Sequence, residues 1–173
     1  MKIVFKKEEL LKYMTPAMSS VSEKNTLASI GGILFTANRE SECTISSFDL
    51  EKGFRAVVKA DVQRQGSYII PAMRLYRIVR IMPEEEIIIE VNEKSVVSIR
   101  SGKSEFRLTA LLGTEFPSLP ELEGEKGFSV KCNEFRSLVE KVQHAIAISE
   151  QQRIVLLGAY FIINGNNIKI VAC

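Results

Sequence analysis

The chain opens on Lys2-Ile3-Val4-Phe5, a β-rich alternation that predicts a short strand, and the period then changes. Over residues 8–20 the apolar positions Leu10, Leu11, Met14, Ala17 and Met18 recur at i, i+1, i+4, i+7 and i+8, the stripe of an amphipathic helix. A polar stretch, 22–26, predicts a loop. Residues 30–37 and 43–48 read as strands around a polar turn at 38–41, and 53–62 continue the β pattern with Phe54, Ala56 and Val58 on alternate positions. A short strand over 67–70 leads to Pro71, which suits the start of a helix because its missing N–H has no intrahelical acceptor to lose there. Leu75, Ile78, Val79 and Met82 then predict a helix over 72–81, ended by Pro83. Three more strands follow over 86–91, 95–100 and 104–111, with turns at 92–94 and 101–103.

Residues 113–126 break the pattern. They are rich in proline, glycine and glutamate with few periodic apolar positions, and predict an interdomain linker. Beyond it come a strand over 128–131, a helix over 133–148, and strands over 154–163 and 167–171 around the turn Asn164-Gly165-Asn166. This order copies the start of the chain at an offset of 125 to 126 residues. Ile3-Val4-Phe5-Lys6 faces Phe128-Ser129-Val130-Lys131, Leu10 faces Phe135, Met14 faces Val139, and Gly32-Ile33-Leu34-Phe35 faces Gly158-Ala159-Tyr160-Phe161. The organisation is therefore read as one domain over 1–120 and an incomplete second copy over 121–173. A domain cut at that point would expose a sheet edge, so the chain is expected to be a fragment of a longer protein.

Charge singles out one segment. Arg74, Arg77 and Arg80 lie at i, i+3 and i+6 on the second helix, spread over about 120° of its surface at 100° per residue. No acidic residue falls between Gln63 and Pro83. Unpaired arginines in a row suit a phosphate backbone, which they attract without reading bases; a solvated helix face is the alternative. The net charge is only +2, so nucleic-acid binding would have to use such a local concentration rather than bulk charge.

The repeated unit resembles the domain of the bacterial DNA sliding clamp, the beta subunit of DNA polymerase III. The resemblance rests on Met1-Lys2-Ile3, Glu8-Glu9-Leu10-Leu11, Lys24-Asn25-Thr26-Leu27, Ser47-Phe48-Asp49-Leu50-Glu51, Ile70-Pro71-Ala72, Met82-Pro83, the run Val97 to Ser104, and Glu115-Phe116-Pro117-Ser118-Leu119-Pro120, in that order over the whole chain. It implies an α+β fold of repeated clamp-type domains, with antiparallel sheets on the outside and two helices per domain on the inside of a ring. It also implies a processivity factor that encircles duplex DNA, slides without sequence specificity and tethers the replicative polymerase. A head-to-tail homodimer, the polymerase catalytic subunit and the clamp loader are the implied protein partners.

The same resemblance marks residues. Arg74, Arg77 and Arg80 align with a channel-lining helix, Lys24 with a basic loop residue that touches DNA, and Arg153 is a weaker candidate from the second domain. Met73 stands where the family often has a basic residue. Lys103, Glu105, Arg107 and Leu108, read on one strand, match the edge that pairs with the other subunit; alternating charges there can also simply block aggregation. Leu156 and Cys173 match the near rim of an apolar pocket for peptide tails.

Catalytic readings find little footing, and no cofactor, metal or enzyme activity is expected. Gly102-Lys103-Ser104 mimics the end of a phosphate loop, but Val97 stands where that motif needs glycine. His144 is the single histidine and has no nucleophile motif beside it, and Cys43, Cys132 and Cys173 are widely spaced without a CxxC pair. No apolar run approaches the ~18 residues of a membrane span, and Lys6-Lys7-Glu8-Glu9 rules against a signal peptide, so the reading is of a cytoplasmic protein without membrane contact. A non-enzymatic interaction scaffold of repeated α+β domains, not encircling DNA, is the alternative reading.

Overall fold

The computed structural model describes residues 1–22, 27–39, 41–83, 85–120, 127–149 and 153–173. The chain forms two compact units, Met1–Glu121 and Leu122–Cys173. In the first unit β1 (Lys2–Lys6) and α1 (Lys7–Ala17) precede β2 (Gly32–Arg39), β3 (Glu42–Phe48), β4 (Gly53–Lys59) and β5 (Asp61–Arg64). Then come β6 (Gly66–Pro71), α2 (Ala72–Ile81), β7 (Glu86–Val91), β8 (Val96–Ser101), β9 (Ser104–Thr109) and β10 (Leu111–Leu112). They make two five-stranded sheets of order β5-β1-β7-β8-β9 and β10-β6-β2-β3-β4, antiparallel at every pairing.

The two sheet orders are one pattern written twice. Replacing β1 to β5 by β6 to β10, and the reverse, turns one sheet into the other. Residues 2–64 and 66–112 are thus two halves of the same β-α-β-β-β-β plan, and each sends its first and last strands into the sheet that holds the other's three middle strands. A shift of 65 residues carries buried Leu10, Met14 and Ala17 of α1 onto buried Leu75, Val79 and Met82. A shift of 54 carries Ile33, Phe35, Cys43 and Ile45 onto Ile87, Ile89, Val97 and Ile99, all of them fully or almost fully buried. These residues form one continuous core.

Three expectations for the first unit need correction. The strand over 53–62 breaks at Ala60, because β4 ladders with β3 while β5 crosses to pair with β1 in the other sheet. The strand over 104–111 breaks at Ala110 for the equivalent reason. At each break the alanine N–H donates to a serine carbonyl, Ala60 to Ser41 (3.1 Å) and Ala110 to Ser95 (2.8 Å), so the bend loses no backbone hydrogen bond. Last, the segment 113–120 is not free linker. Gly113–Glu115 is a 3-10 turn whose Glu115 carboxylate accepts the Leu112 N–H at 3.2 Å. Ser67 leaves no room for a Cβ at Gly113, and the Leu119 side chain leaves none at Gly53. At Gly113 the Ser67 backbone itself blocks a Cβ, so glycine is needed there for the segment to lie against β6, while at Gly53 the Leu119 side chain packs onto the open face of β4.

The second unit contains α3 (Cys132–Val142), the 3-10 turns Gln143–Ala145 and Ile154–Leu157, and the antiparallel hairpin β11 (Tyr160–Asn164) and β12 (Asn167–Val171). The repeat reappears in the element bounds. Shifting α1 and the 3-10 turn Met18–Ser20 by 125 residues gives α3 and Gln143–Ala145, and shifting the 3-10 turn Ala28–Gly31 by 126 gives Ile154–Leu157. Three predictions fail here. The helix expected to reach 148 ends at Val142, followed by one 3-10 turn to Ala145. Ile154–Leu157 is a one-turn helix rather than the start of a strand, and 128–131 form no strand. The counterpart of 128–131 is β1, which is a strand by virtue of its ladders with β5 and β7; 128–131 have no ladder partner among the described residues. Among the described residues of this unit none is buried.

Burial pushes the Cys43 thiol up to about 12, whereas Cys132 and Cys173 are exposed. An aromatic disulfide reagent at about pH 8 is expected to titrate two thiols rapidly in the native chain and the third only after denaturation. Three equally fast thiols would contradict the burial of β3.

Candidate nucleic-acid interface

Helix α2 is built to hold one face out. Pro71 ends β6 and stands at the N-cap of the helix, and Ala72, Leu75, Ile78 and Val79 bury the apolar stripe. At the far end the Met82 N–H closes on the Ile78 carbonyl at 3.1 Å before Pro83 stops the helix. Lys7 Nζ donates to the Met82 carbonyl at 2.6 Å, placing a cation where the helix carbonyls collect negative charge. The helix thus continues from β6 at one end and is held by Lys7 of α1 at the other, with its apolar stripe buried and the opposite face left outward.

That row is Arg74, Arg77 and Arg80, all exposed. Among the described residues none of the three forms a salt bridge, so three permanent positive charges stand together without a carboxylate to neutralise them. The Arg80 guanidinium lies 5.7 Å from the Tyr76 ring centre, and the Tyr76 hydroxyl is 3.4 Å from Thr15 Oγ1 on α1. Tyr76 was missed by the sequence reading. Its position four residues before Arg80 was the available signal, since such pairs share a helix face. Lys24 lies outside the described residues. Arg153 is exposed at the entrance to the 3-10 turn Ile154–Leu157, in the second unit.

The second group of candidates sits on β9, the edge strand of the β1 sheet. Glu105 and Arg107 are exposed and joined at 2.9 Å. That Arg107 bond, with a second from Ser98 Oγ (3.2 Å), holds the Glu105 carboxyl below the usual carboxylate range. Leu108 and Phe106 point the other way, opposite core residues Val97 and Ile99. Lys103 is not on the strand as expected: it belongs with Gly102 (φ 55°) to the β8–β9 turn, which also separates Gly102-Lys103-Ser104 from any helix N-terminus. On the same outer face Glu90 bridges Arg100 (2.6 Å) and Arg64 (3.3 Å), tying β8, β7 and β5 together.

Leu156 is half-buried in its 3-10 turn, where its carbonyl accepts the Ala147 N–H at 3.0 Å, and Cys173 is exposed beyond β12. His144 is exposed. Among the described residues no three His, Cys, Asp or Glu side chains gather as metal ligands, and no helix is long and apolar enough to cross a membrane.

The Glu90 cluster is partly exposed, so its contribution is modest. Glu90→Gln is expected to lower the unfolding free energy by about 1 kcal/mol in dilute buffer, and by less as salt rises. Denaturant melts at two salt concentrations read this; a loss independent of salt would exclude an electrostatic role.

Residues 1–120 match the DNA polymerase III beta subunit, N-terminal domain, family. Over 171 residues the chain is 26% identical to a beta sliding clamp of Chlamydia muridarum, covering 99% of this chain and 46% of that protein. Over 170 residues it is 30% identical to a beta sliding clamp of Halalkalibacterium halodurans, covering 93% and 44%. Among solved structures, the DNA polymerase sliding clamp of Bacillus subtilis superposes with a TM-score of 0.92 at 23% identity, over 99% of this chain and 47% of that one. The chain thus spans about half the length of the relatives it matches.

Proposed function

Because the chain belongs to the DNA polymerase III beta subunit family, we propose that it forms part of a non-catalytic processivity factor, a subunit of a ring that encircles duplex DNA and tethers the replicative polymerase. The observation that carries this reading is the arginine row of α2. A sliding surface must attract the duplex without preferring a sequence, and unpaired guanidinium groups on a rigid helix meet phosphates at any register. Hydrogen bonds to base edges would pin the ring in place. Lys24 and Arg153 are assigned to the same phosphate surface, with the two helices of each domain toward the DNA and the sheets outside.

The edge strand β9 is assigned to the contact with a second clamp subunit, head to tail. It presents an unladdered edge in the first unit, and strand addition would extend the sheet across the boundary. Glu105, Arg107 and Leu108, with Lys103 in the adjoining turn, set the charge and shape a partner strand must match. Leu156 and Cys173 are assigned to the near rim of a pocket for peptide tails of the polymerase and the clamp loader. No cofactor enters this scheme, because topological linkage to DNA requires no bond to be made or broken.

Fluorescence anisotropy with a labelled random-sequence duplex tests the assignment of α2. The chain is expected to bind weakly, equally across sequences, and with an affinity that falls steeply with salt. Replacing Arg74, Arg77 and Arg80 together with serine removes three phosphate partners and should reduce the slope of log K against log salt by about 3. An unchanged slope, with the fold intact by circular dichroism, would remove α2 from the DNA surface. Absence of any salt-sensitive binding would favour an interaction scaffold that does not encircle DNA.

A further inference from the structure

Tyr76 carries a hydroxyl that packing does not explain. Its ring is half-buried against the core of the first unit, beside the buried Leu75 and the exposed Arg77 and Arg80 of α2. A phenylalanine would fill that space equally well. The hydroxyl reaches toward α1, where it lies 3.4 Å from Thr15 Oγ1.

The two hydroxyls serve each other poorly. Thr15 Oγ1 already donates its one proton to the Leu11 carbonyl at 2.8 Å, so Tyr76 is the donor of the pair. At 3.4 Å that contact is longer than the roughly 2.5–3.0 Å of a good O–H···O bond. The Tyr76 proton is therefore open to a stronger acceptor. The Thr15 proton is open to one too. A carbonyl inside an α-helix accepts the N–H four residues on, and keeps that partner when the hydroxyl turns away. Thr15 is exposed, so a ligand can reach it.

The surroundings select the acceptor. The Arg80 guanidinium lies 5.7 Å from the centre of the Tyr76 ring and has no carboxylate partner among the described residues. On α1, exposed Lys12 stands three residues before Thr15, on the same face, and its contact with Glu9 is a long 3.8 Å. Two hydroxyl donors with permanent cations nearby suit an anion that offers more than one acceptor oxygen. A backbone phosphate does so, and tyrosine and threonine hydroxyls contact phosphates as arginine and lysine do. The arrangement is not repeated by the internal symmetry. The shift of 65 residues carries Leu11 onto Tyr76 and Thr15 onto Arg80, so the equivalent place holds Leu11 and Arg80 and has no hydroxyl pair.

We propose that Tyr76 and Thr15 form a charge-neutral seat for one phosphate of the duplex backbone, flanked by Arg80, so that the DNA surface extends from α2 onto α1. This rests on the reading of α2 as a DNA surface and adds two uncharged contacts to it. A seat without charge holds a phosphate by hydrogen bonds alone, and it reads no base.

The labelled random-sequence duplex and the intact chain test this by affinity and salt slope together. Tyr76→Phe keeps the ring beneath Arg80 and removes only the hydroxyl; Thr15→Val keeps the side-chain shape. Each is expected to weaken binding about fivefold at low salt. Neither should change the slope of log K against log salt, because a neutral donor displaces no counterion, whereas Arg80→Ser should reduce it by about 1. Thr15→Ser, which restores a hydroxyl, should bind like the unaltered chain. Circular dichroism at the assay temperature confirms that each variant is folded. Unchanged affinity in Tyr76→Phe and Thr15→Val, with the arginine dependence intact, would overturn the seat and leave the α2 reading standing. A reduced slope in Tyr76→Phe would overturn it as well, since the hydroxyl would then act through the placement of an arginine. No salt-sensitive binding by the unaltered chain would remove both.

Discussion

The exchange of first strands between two equivalent halves is the constraint on which the first unit depends. β1, flanked by β5 of its own half, contributes buried Ile3 and Phe5 to the sheet of β7, β8 and β9, and β6, flanked by β10, contributes Ile69 and Ile70 to the sheet of β2, β3 and β4. Burying side chains of this size stabilises by about 1.5–3 kcal/mol each relative to leaving them in water. Neither half can realise that gain without the other, so the unit folds as one body. The chain ends where β1 begins are held by the same arrangement: the Met1 carbonyl accepts the Val91 N–H at 2.8 Å, and the terminal ammonium donates to the Val91 carbonyl at 3.1 Å.

The candidate interface is a by-product of that exchange. Because the two halves share one core, α1 and α2 lie side by side with their apolar stripes committed to it, and what remains outward on α2 is the arginine row. The helix is held from outside by Lys7 at its C-terminal carbonyls. Tyr76 joins the two helices and carries Arg80 over its ring, so one residue serves packing and charge placement together. On the outer face of the β1 sheet the logic is reversed: there every described arginine has a carboxylate, Arg64 and Arg100 with Glu90 and Arg107 with Glu105. Arginines paired on the β1 sheet and unpaired on α2 give the first unit two surfaces of different electrostatic character despite the chain's near-neutral composition.

Much of this was legible in the chain. The bounds of α2 and β12 follow from periodicity because a proline or an Asn-Gly turn punctuates each, and the repeat between α1 and α3 survives because the apolar positions of an amphipathic helix cannot be moved without exposing them. Strand ends were less legible. A run such as 53–62 alternates without interruption through Ala60, and nothing local records that its last residues belong to a different sheet. The internal symmetry of 1–120 is not legible in the chain for a related reason: Cys43 matches Val97 and Ile33 matches Ile87 in burial but hardly in identity, and alternation alone fits many registers.

What the sequence determined by itself is the list of elements, the two copies of their opening order, and a helix with three cations free of acidic neighbours along the chain. These are properties of residues within a few turns of one another, where the 3.6 and 2.0 periods and the caps act. Which strands share a sheet, where a continuous alternation must bend, that 113–120 packs rather than links, and that 128–131 needs a distant ladder to become a strand were decided only by tertiary structure. The physical reason is that a β-strand is completed by hydrogen bonds to residues far away in sequence, so its existence depends on partners that local patterning cannot name.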